Sequence, residues 1–245
     1  MKVIEAKNIK KSFENLEVLK EINLSIKKGD FAVVIGKNGS GKSTLLKIAI
    51  GLLLPDEGEI KVLNYDVKTK WKKLSKEIGV VLTNERSLYW KLTAYENLDI
   101  FGGIYGVKRN IKKEKIRYLL EKFNLTQFSN ITVENFSTGM RKKLMLCKAL
   151  IHEPKVLFLD EILNGLDPEA VYEMIEYLNE LNKEGLTIFM ISHILHGFSK
   201  NTDIYFLKDG SLKLTTKFGD IKEENKNIYD YFRDIIKSGE SVRRI

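Results

Sequence analysis

FAVVIGKNGSGKST, Phe31 to Thr44, joins an unbroken apolar run to a glycine-rich loop. Phe31 to Ile35 read as a strand buried on both faces, because no polar residue interrupts them. Gly36, Gly41, Lys42 and Ser43 then fall at the spacing of a phosphate-binding loop. Glycines there let successive backbone N–H groups turn inward around phosphate oxygens, and the following helix points its N-terminus at them. Lys42 is placed to reach the outer phosphates, and the Ser43 hydroxyl to bind magnesium. The candidate phosphate site is Gly36, Lys37, Asn38, Gly39, Ser40, Gly41, Lys42, Ser43 and Thr44.

Two more apolar runs end in polar chemistry. VLFLD, Val156 to Asp160, is followed by Glu161. Two carboxylates thus stand at the C-terminal end of a buried strand, the edge at which open α/β sheets bind ligands. Successive side chains of an extended chain point to opposite sides, so the two acids can divide the work. Asp160 suits magnesium, directly or through water, and Glu161 suits a general base acting on an attacking water. LTIFMIS, Leu186 to Ser192, delivers His193 to the same edge, where it can sense a terminal phosphate.

Strand, helix and strand in this order imply a parallel α/β core. The helix between the last two strands carries Val171, Met174, Ile175, Leu178 and Leu181 on one face. Upstream, VIEAKNI and VLKEINLSI predict further strands. About 92–154 reads as a helical insertion, with capping-box spacing at Thr93 and Glu96 and a stripe of Ile116, Leu119, Leu120 and Phe123. A C-terminal hairpin and helix are expected over about 203–240, the hairpin turning at Asp209-Gly210 and the amphipathic helix centred on 227–237. The chain 1–245 is read as one domain.

Hydrophobic content of 43% and charged content of 30% are those of a soluble globular protein. The net charge of +8 suits nucleic acid, an anionic membrane face or a polyphosphate ligand, with a solvated lysine surface as the default. A single cysteine, Cys147, excludes an internal disulfide and a multi-cysteine metal site, and suits a reducing compartment. No run approaches the ~20 apolar residues that span a bilayer, and MKVIEAKNIKKSF has no apolar signal-peptide core. The expected location is the cytoplasm.

NFSTGMRKKLMLCKALIHEP, Asn135 to Pro154, poses a question. A helix stripe of Leu144, Cys147, Leu150 and Ile151 is preceded by Ser137, Thr138 and Gly139, then by Arg141, Lys142 and Lys143. Cations are unfavourable at a helix N-terminus, whose dipole already presents positive charge. A bound anion would explain them.

Taken in order, these motifs resemble the nucleotide-binding subunit of an ATP-binding cassette transporter over nearly the whole chain. FSTGM stands where that family has its Leu-Ser-Gly-Gly-Gln signature, with Ser137 and Gly139 kept and Thr138 and Met140 departing. NGLDP resembles the loop after the second nucleotide motif, with Asp167 as its acidic residue; His193 matches the switch histidine. The resemblance implies a P-loop NTPase core with a mixed sheet, an N-terminal antiparallel β-subdomain and an inserted α-helical subdomain. It implies ATP and magnesium as ligands and a head-to-tail pair of cassettes. Ser137 and Gly139 of one would then close over the ATP held by the other. Phe13 lies where an aromatic stacks on adenine, though it could equally be a packed strand residue; the magnesium-contacting glutamine falls at Thr83, with Asn84 beside it.

ERSLYWKLTAYENL, Glu85 to Leu98, places Tyr89, Trp90 and Tyr95 where the family meets its membrane subunit, or else where the insertion is anchored to the core. Together with STGM it looks like exporter cassettes made separately from their permeases. The implied partners are a transmembrane permease and a second copy of the chain or a related cassette, on the inner face of the membrane. The alternative is a soluble cassette ATPase of iron–sulfur assembly, ribosomes or DNA. The ribosomal type carries two cassettes and the repair type long coiled coils, neither visible here, so nucleic acid is the less favoured partner.

Overall fold

A computed structural model describes residues 1–82, 87–194 and 196–221. The strands are β1 (Lys2–Phe13), β2 (Leu16–Lys27), β3 (Phe31–Ile35), β4 (Glu57–Val62), β5 (Tyr65–Asp66), β6 (Ile78–Val81), β7 (Val156–Asp160), β8 (Thr187–Ile191), β9 (Asp203–Lys208) and β10 (Ser211–Lys217). The helices are α1 (Lys42–Ala49), α2 (Trp71–Leu74), α3 (Ala94–Ile104), α4 (Arg109–Lys122), α5 (Thr138–Leu150) and α6 (Pro168–Lys183).

Six strands form a mixed sheet in the order β10-β9-β3-β8-β7-β6. Every pair from β9 to β6 is parallel, and β10 alone runs antiparallel. Four strands form a second sheet, β2-β1-β4-β5, all antiparallel. The mixed core and the antiparallel N-terminal sheet are those the sequence resemblance implies.

The apolar runs of β3, β7 and β8 are continuous because both faces of the sheet are covered. Phe31, Val33 and Ile35 face a core shared with Leu98, Leu120, Phe123, Leu144 and Leu178 of the helices. Ala32 and Val34 face the other way, onto α1 and the antiparallel sheet, with Leu45, Ile4 and Ile22. Phe158 and Phe189, both fully buried, meet on this second face with ring centres 5.7 Å apart. Burying a side chain of that size contributes about 1.5–3 kcal/mol.

Helices α3, α4 and α5 lie between β6 and β7, in the segment read as helical. The expected capping box is present: Thr93 Oγ1 accepts from the Glu96 N–H, and Glu96 Oε2 accepts from the Thr93 N–H. Fully buried Asn97 fixes the chain entering α3, its Nδ2 donating to the carbonyls of Tyr89 and Thr93 and its Oδ1 accepting from the Tyr89 N–H. That leaves Tyr89 and Trp90 about half exposed on the surface.

The hairpin turns where expected. Lys208 pairs with Ser211, and both Asp209 and Gly210 have positive φ, as a two-residue turn requires. Its placement was not expected: β9 inserts parallel beside β3, extending the core sheet. The helix expected over 227–237 lies outside the described residues.

Candidate functional site

Strand β8 lies between β3 and β7, so these three strands end side by side. The loop Gly36–Gly41 leaves the end of β3 and leads into α1. A Cβ on Gly36 would sit 2.1 Å from the Leu207 carbonyl oxygen, so only glycine fits against the β9 backbone. Gly41 is the N-cap residue of α1, at φ 102°, where a side chain is strained. No side chain caps α1, so its first N–H groups remain available. Ser40 Oγ is buried without a partner inside the loop, and Lys37, Asn38 and Gly39 are exposed at its tip. Donors in need of an acceptor, at an uncapped helix start, form an anion site.

Lys42 is 5% exposed, and its ammonium donates to the carbonyls of Gly36 (2.8 Å) and Lys37 (3.0 Å). Burial pushes it below the ordinary lysine range, while Glu161 and Asp160 pull it back up. The Ser43 hydroxyl donates to Asp160 Oδ1 at 3.2 Å, joining the loop to the end of β7. Thr44 follows in the first turn of α1.

Glu161 leaves the strand at φ 51°, in the left-handed region that costs a non-glycine residue roughly 1–2 kcal/mol. Its N–H donates to the Ile191 carbonyl at 3.1 Å, which ties the turn to β8. His193 Nε2 lies 2.8 Å from Glu161 Oε1, and Asn164 Nδ2 donates to Glu161 Oε2 at 2.7 Å. The two acids do diverge, Asp160 toward Ser43 and Glu161 toward His193. Ile162 and Leu163 bury themselves behind them, anchoring the loop. Asn164 is a site residue that the sequence reading did not single out.

Ser137 is the N-cap of α5, and its Oγ accepts from the Met140 N–H at 3.2 Å. Gly139 is half-buried, and a Cβ added there would make ordinary van der Waals contact with Leu166 Cδ2 at 3.8 Å. Among the described residues no hydrogen bond joins Ser137 or Gly139 to Lys42, Ser43 or Thr44. The basic run after them has partners within the chain. Arg141 donates to the Phe136 carbonyl and sits 5.3 Å from the Trp90 ring centre. Buried Lys142 donates to the Asn164 carbonyl, and Lys143 pairs with Glu173 at 2.7 Å. Intramolecular partners hold all three cations.

Asp167 is the N-cap of α6, its Oδ1 accepting from the Ala170 N–H at 2.8 Å with Pro168 next in sequence. Phe13 ends β1 at 46% exposure, with Lys11 Nζ 5.5 Å from its ring centre, so it is not packed in the core. Thr83 and Asn84 lie outside the described residues. His152 stacks on Tyr105 and bonds the Ile78 carbonyl, a packing role.

No group of three His, Cys, Asp or Glu able to hold a metal is present among the described residues. Ser43 and Asp160 suit an ion that takes only one or two protein ligands and completes its shell with phosphate and water, as magnesium does. The orphaned Ser40 hydroxyl and the glycine cradle fit the phosphates themselves.

Comparison with known proteins gives concordant results. The family model described as ABC transporter matches residues 19–164. The ABC transporter ATP-binding protein NatA of Bacillus subtilis (strain 168) is 36% identical over 180 residues, covering 74% of this chain and 73% of NatA. The linearmycin resistance ATP-binding protein LnrL of the same strain is 35% identical over 193 residues, covering 79% of this chain but only 62% of LnrL. Among solved structures, a dimeric post-hydrolysis state of the ATP-binding cassette MJ0796 bound to ADP and Pi aligns with a TM-score of 0.78 at 27% identity. That match covers 88% of this chain and 98% of the cassette.

Proposed function

This chain belongs to the ABC transporter family as an ATP-binding P-loop ATPase, and from that premise we propose that it powers export by a separately made membrane permease. Two copies, or one copy and a related cassette, pair head to tail with ATP between them. The observation that carries this reading is the meeting of Lys42, Ser43, Asp160, Glu161 and His193 at one sheet edge, beside a phosphate loop with an orphaned donor.

In this reading Gly36 to Thr44 wrap the phosphates, and Lys42 exchanges its loop carbonyls for phosphate oxygens. Phe13 is free to stack on the base. Ser43 and Asp160 would hold magnesium, with Thr83 a further candidate ligand, and the ion would supply positive charge against the outer phosphates. Glu161 orients the attacking water and accepts its proton, and His193 contacts the terminal phosphate. Ser137 and Gly139 present the start of α5 to the neighbour's nucleotide, and Asp167 lies beside that contact.

A groove of about 430 Å³, lined by Leu52, Trp71, Phe101, Ile104, Tyr105 and Lys148, supports the permease reading. Leu52, Trp71 and Ile104 are 57%, 43% and 66% exposed, an apolar patch suited to a helix from a partner. Burial lowers the Lys148 ammonium to about 8, and it donates to the Ser87 carbonyl at 2.9 Å. Among the described residues no helix is long and apolar enough to cross a membrane. The name of LnrL, a resistance protein, supports the outward direction. The chain would then sit at the cytoplasmic face of the membrane.

The test is purification from detergent-solubilised membranes, with ATP hydrolysis measured on the product. Recovery of a stoichiometric multi-span polypeptide that stimulates magnesium-dependent hydrolysis is expected. Recovery of the chain bound to nucleic acid in a salt-sensitive manner, without such a polypeptide, would place it among the soluble cassette ATPases instead.

A further inference from the structure

Glu161 accepts a hydrogen bond on each carboxylate oxygen, from two different segments of the chain. On the Oε2 side the donor is Asn164, an exposed residue of the loop between β7 and α6. The carbonyl of the same Asn164 accepts from the ammonium of Lys142, which is 8% exposed in the second turn of α5. A buried ammonium is costly unless it is hydrogen-bonded, so this bond ties the loop to α5. Leu166, two residues beyond Asn164, lies close enough to Gly139 that a Cβ added there would meet its Cδ2 at 3.8 Å. The loop is therefore tied to α5 through Lys142 and to Glu161 through the Asn164 side chain.

We propose that Asn164 and Lys142 are positioning residues for Glu161, fixing the carboxylate relative to α5 of the same chain. This rests on the ATPase reading above. A glutamate side chain left free samples several rotamers, and few of them aim the carboxylate at one water. The left-handed backbone at Glu161 sets where its side chain starts, and the bonds at its carboxylate set where it ends. Asn164 supplies the hold on Oε2 opposite His193 on Oε1, and Lys142 keeps Asn164 in register with the helix. A shift of α5 would carry the loop with it, so the start of that helix and the carboxylate respond together.

The test uses the full chain with magnesium and ATP, measuring kcat and KM alongside equilibrium binding of a fluorescent ATP analogue. Asn164→Ala should lower kcat by about 10- to 100-fold while KM and binding stay within about twofold, because the lost bond is to a charged group. Asn164→Asp has the same shape but places a second carboxylate against Glu161, so it should be slower than the alanine variant. A residue that mattered only for the shape of the loop would give the opposite order. Lys142→Met should lower kcat without loss of binding, and Lys142→Arg should recover part of it. Asn164 is exposed, so its variants carry the test even if Lys142→Met unfolds. A kcat within twofold of the parent for Asn164→Ala, or a loss confined to KM, would overturn the proposal. If Glu161→Gln is inactive while both Asn164 variants are normal, only this proposal fails; if Glu161→Gln is as active as the parent, the ATPase reading of the site fails with it.

Discussion

Helices α1 and α5 both begin at loops of small and hydroxyl residues, yet they are finished differently. At α1 no side chain caps the helix, Ser40 Oγ lacks a partner, and Lys42 rests on carbonyls it can exchange. At α5 Ser137 already caps the helix, and Arg141, Lys142 and Lys143 are held by Phe136, Asn164 and Glu173. The first start needs an anion to complete it, and the same chain supplies the carboxylates and histidine beside it. The second has its cations held internally and leaves exposed Ser137 and half-buried Gly139 at its start. A helix start of that kind offers oriented backbone groups to a ligand held by something else. The difference fits one whole phosphate site and one half of another.

The largest expected effect lies at the complete site. Glu161→Gln keeps the shape of the side chain but not the base, so kcat should fall by about 10²- to 10⁴-fold, with magnesium-ATP binding retained. Near-normal turnover in that variant would remove the general base and leave the contrast without its catalytic end.

Ser137 sharpens the contrast. Ser137→Asp preserves a good N-cap, so thermal stability should hold, but it turns a negative charge toward the neighbour's phosphate. Turnover should fall about 10-fold or more. Ser137→Ala loses the cap and should cost about 1 kcal/mol of stability in chemical denaturation. If Ser137→Asp hydrolyses ATP normally, the start of α5 meets no phosphate.

The smallest effect belongs to Asp167, whose visible work is capping α6. Asp167→Ala should lower stability by about 1 kcal/mol, whereas Asp167→Asn keeps the cap. A binding loss in Asp167→Asn with unchanged stability would add a nucleotide contact to that capping role.

Much of the complete site was legible because its signals are local. The run Phe31 to Thr44, the acids after VLFLD and the histidine after LTIFMIS each state strand, end and chemistry within a few residues. The Asp209-Gly210 turn and the Thr93–Glu96 capping box were legible for the same reason. What was missed depends on contacts distant in sequence. The pairing of β9 with β3 joins residues about 170 positions apart, and no periodicity within either strand encodes a neighbour. The partners of the cations after Gly139 were hidden because helix-dipole reasoning counts only nearby charge. Glu173 lies 30 residues away from Lys143, and the partner of Lys142 is a backbone carbonyl, which no side-chain pattern reveals. The left-handed backbone at Glu161 was hidden as well, because glycine is the residue that advertises such a turn.

The central claim is that one chain's phosphate loop works with another chain's α5. Mixing Lys42→Ala subunits with Ser137→Arg subunits tests it most directly. Each variant alone is damaged at both sites of its own pair and should be nearly inactive. In a mixed pair, the intact phosphate loop of one subunit meets the intact α5 start of the other. Equal mixing gives half mixed pairs with one working site each, so activity should return to about a quarter of the parent's. Mixed pairs demonstrated by two affinity tags, with hydrolysis no greater than the sum of the two variants alone, would contradict the account.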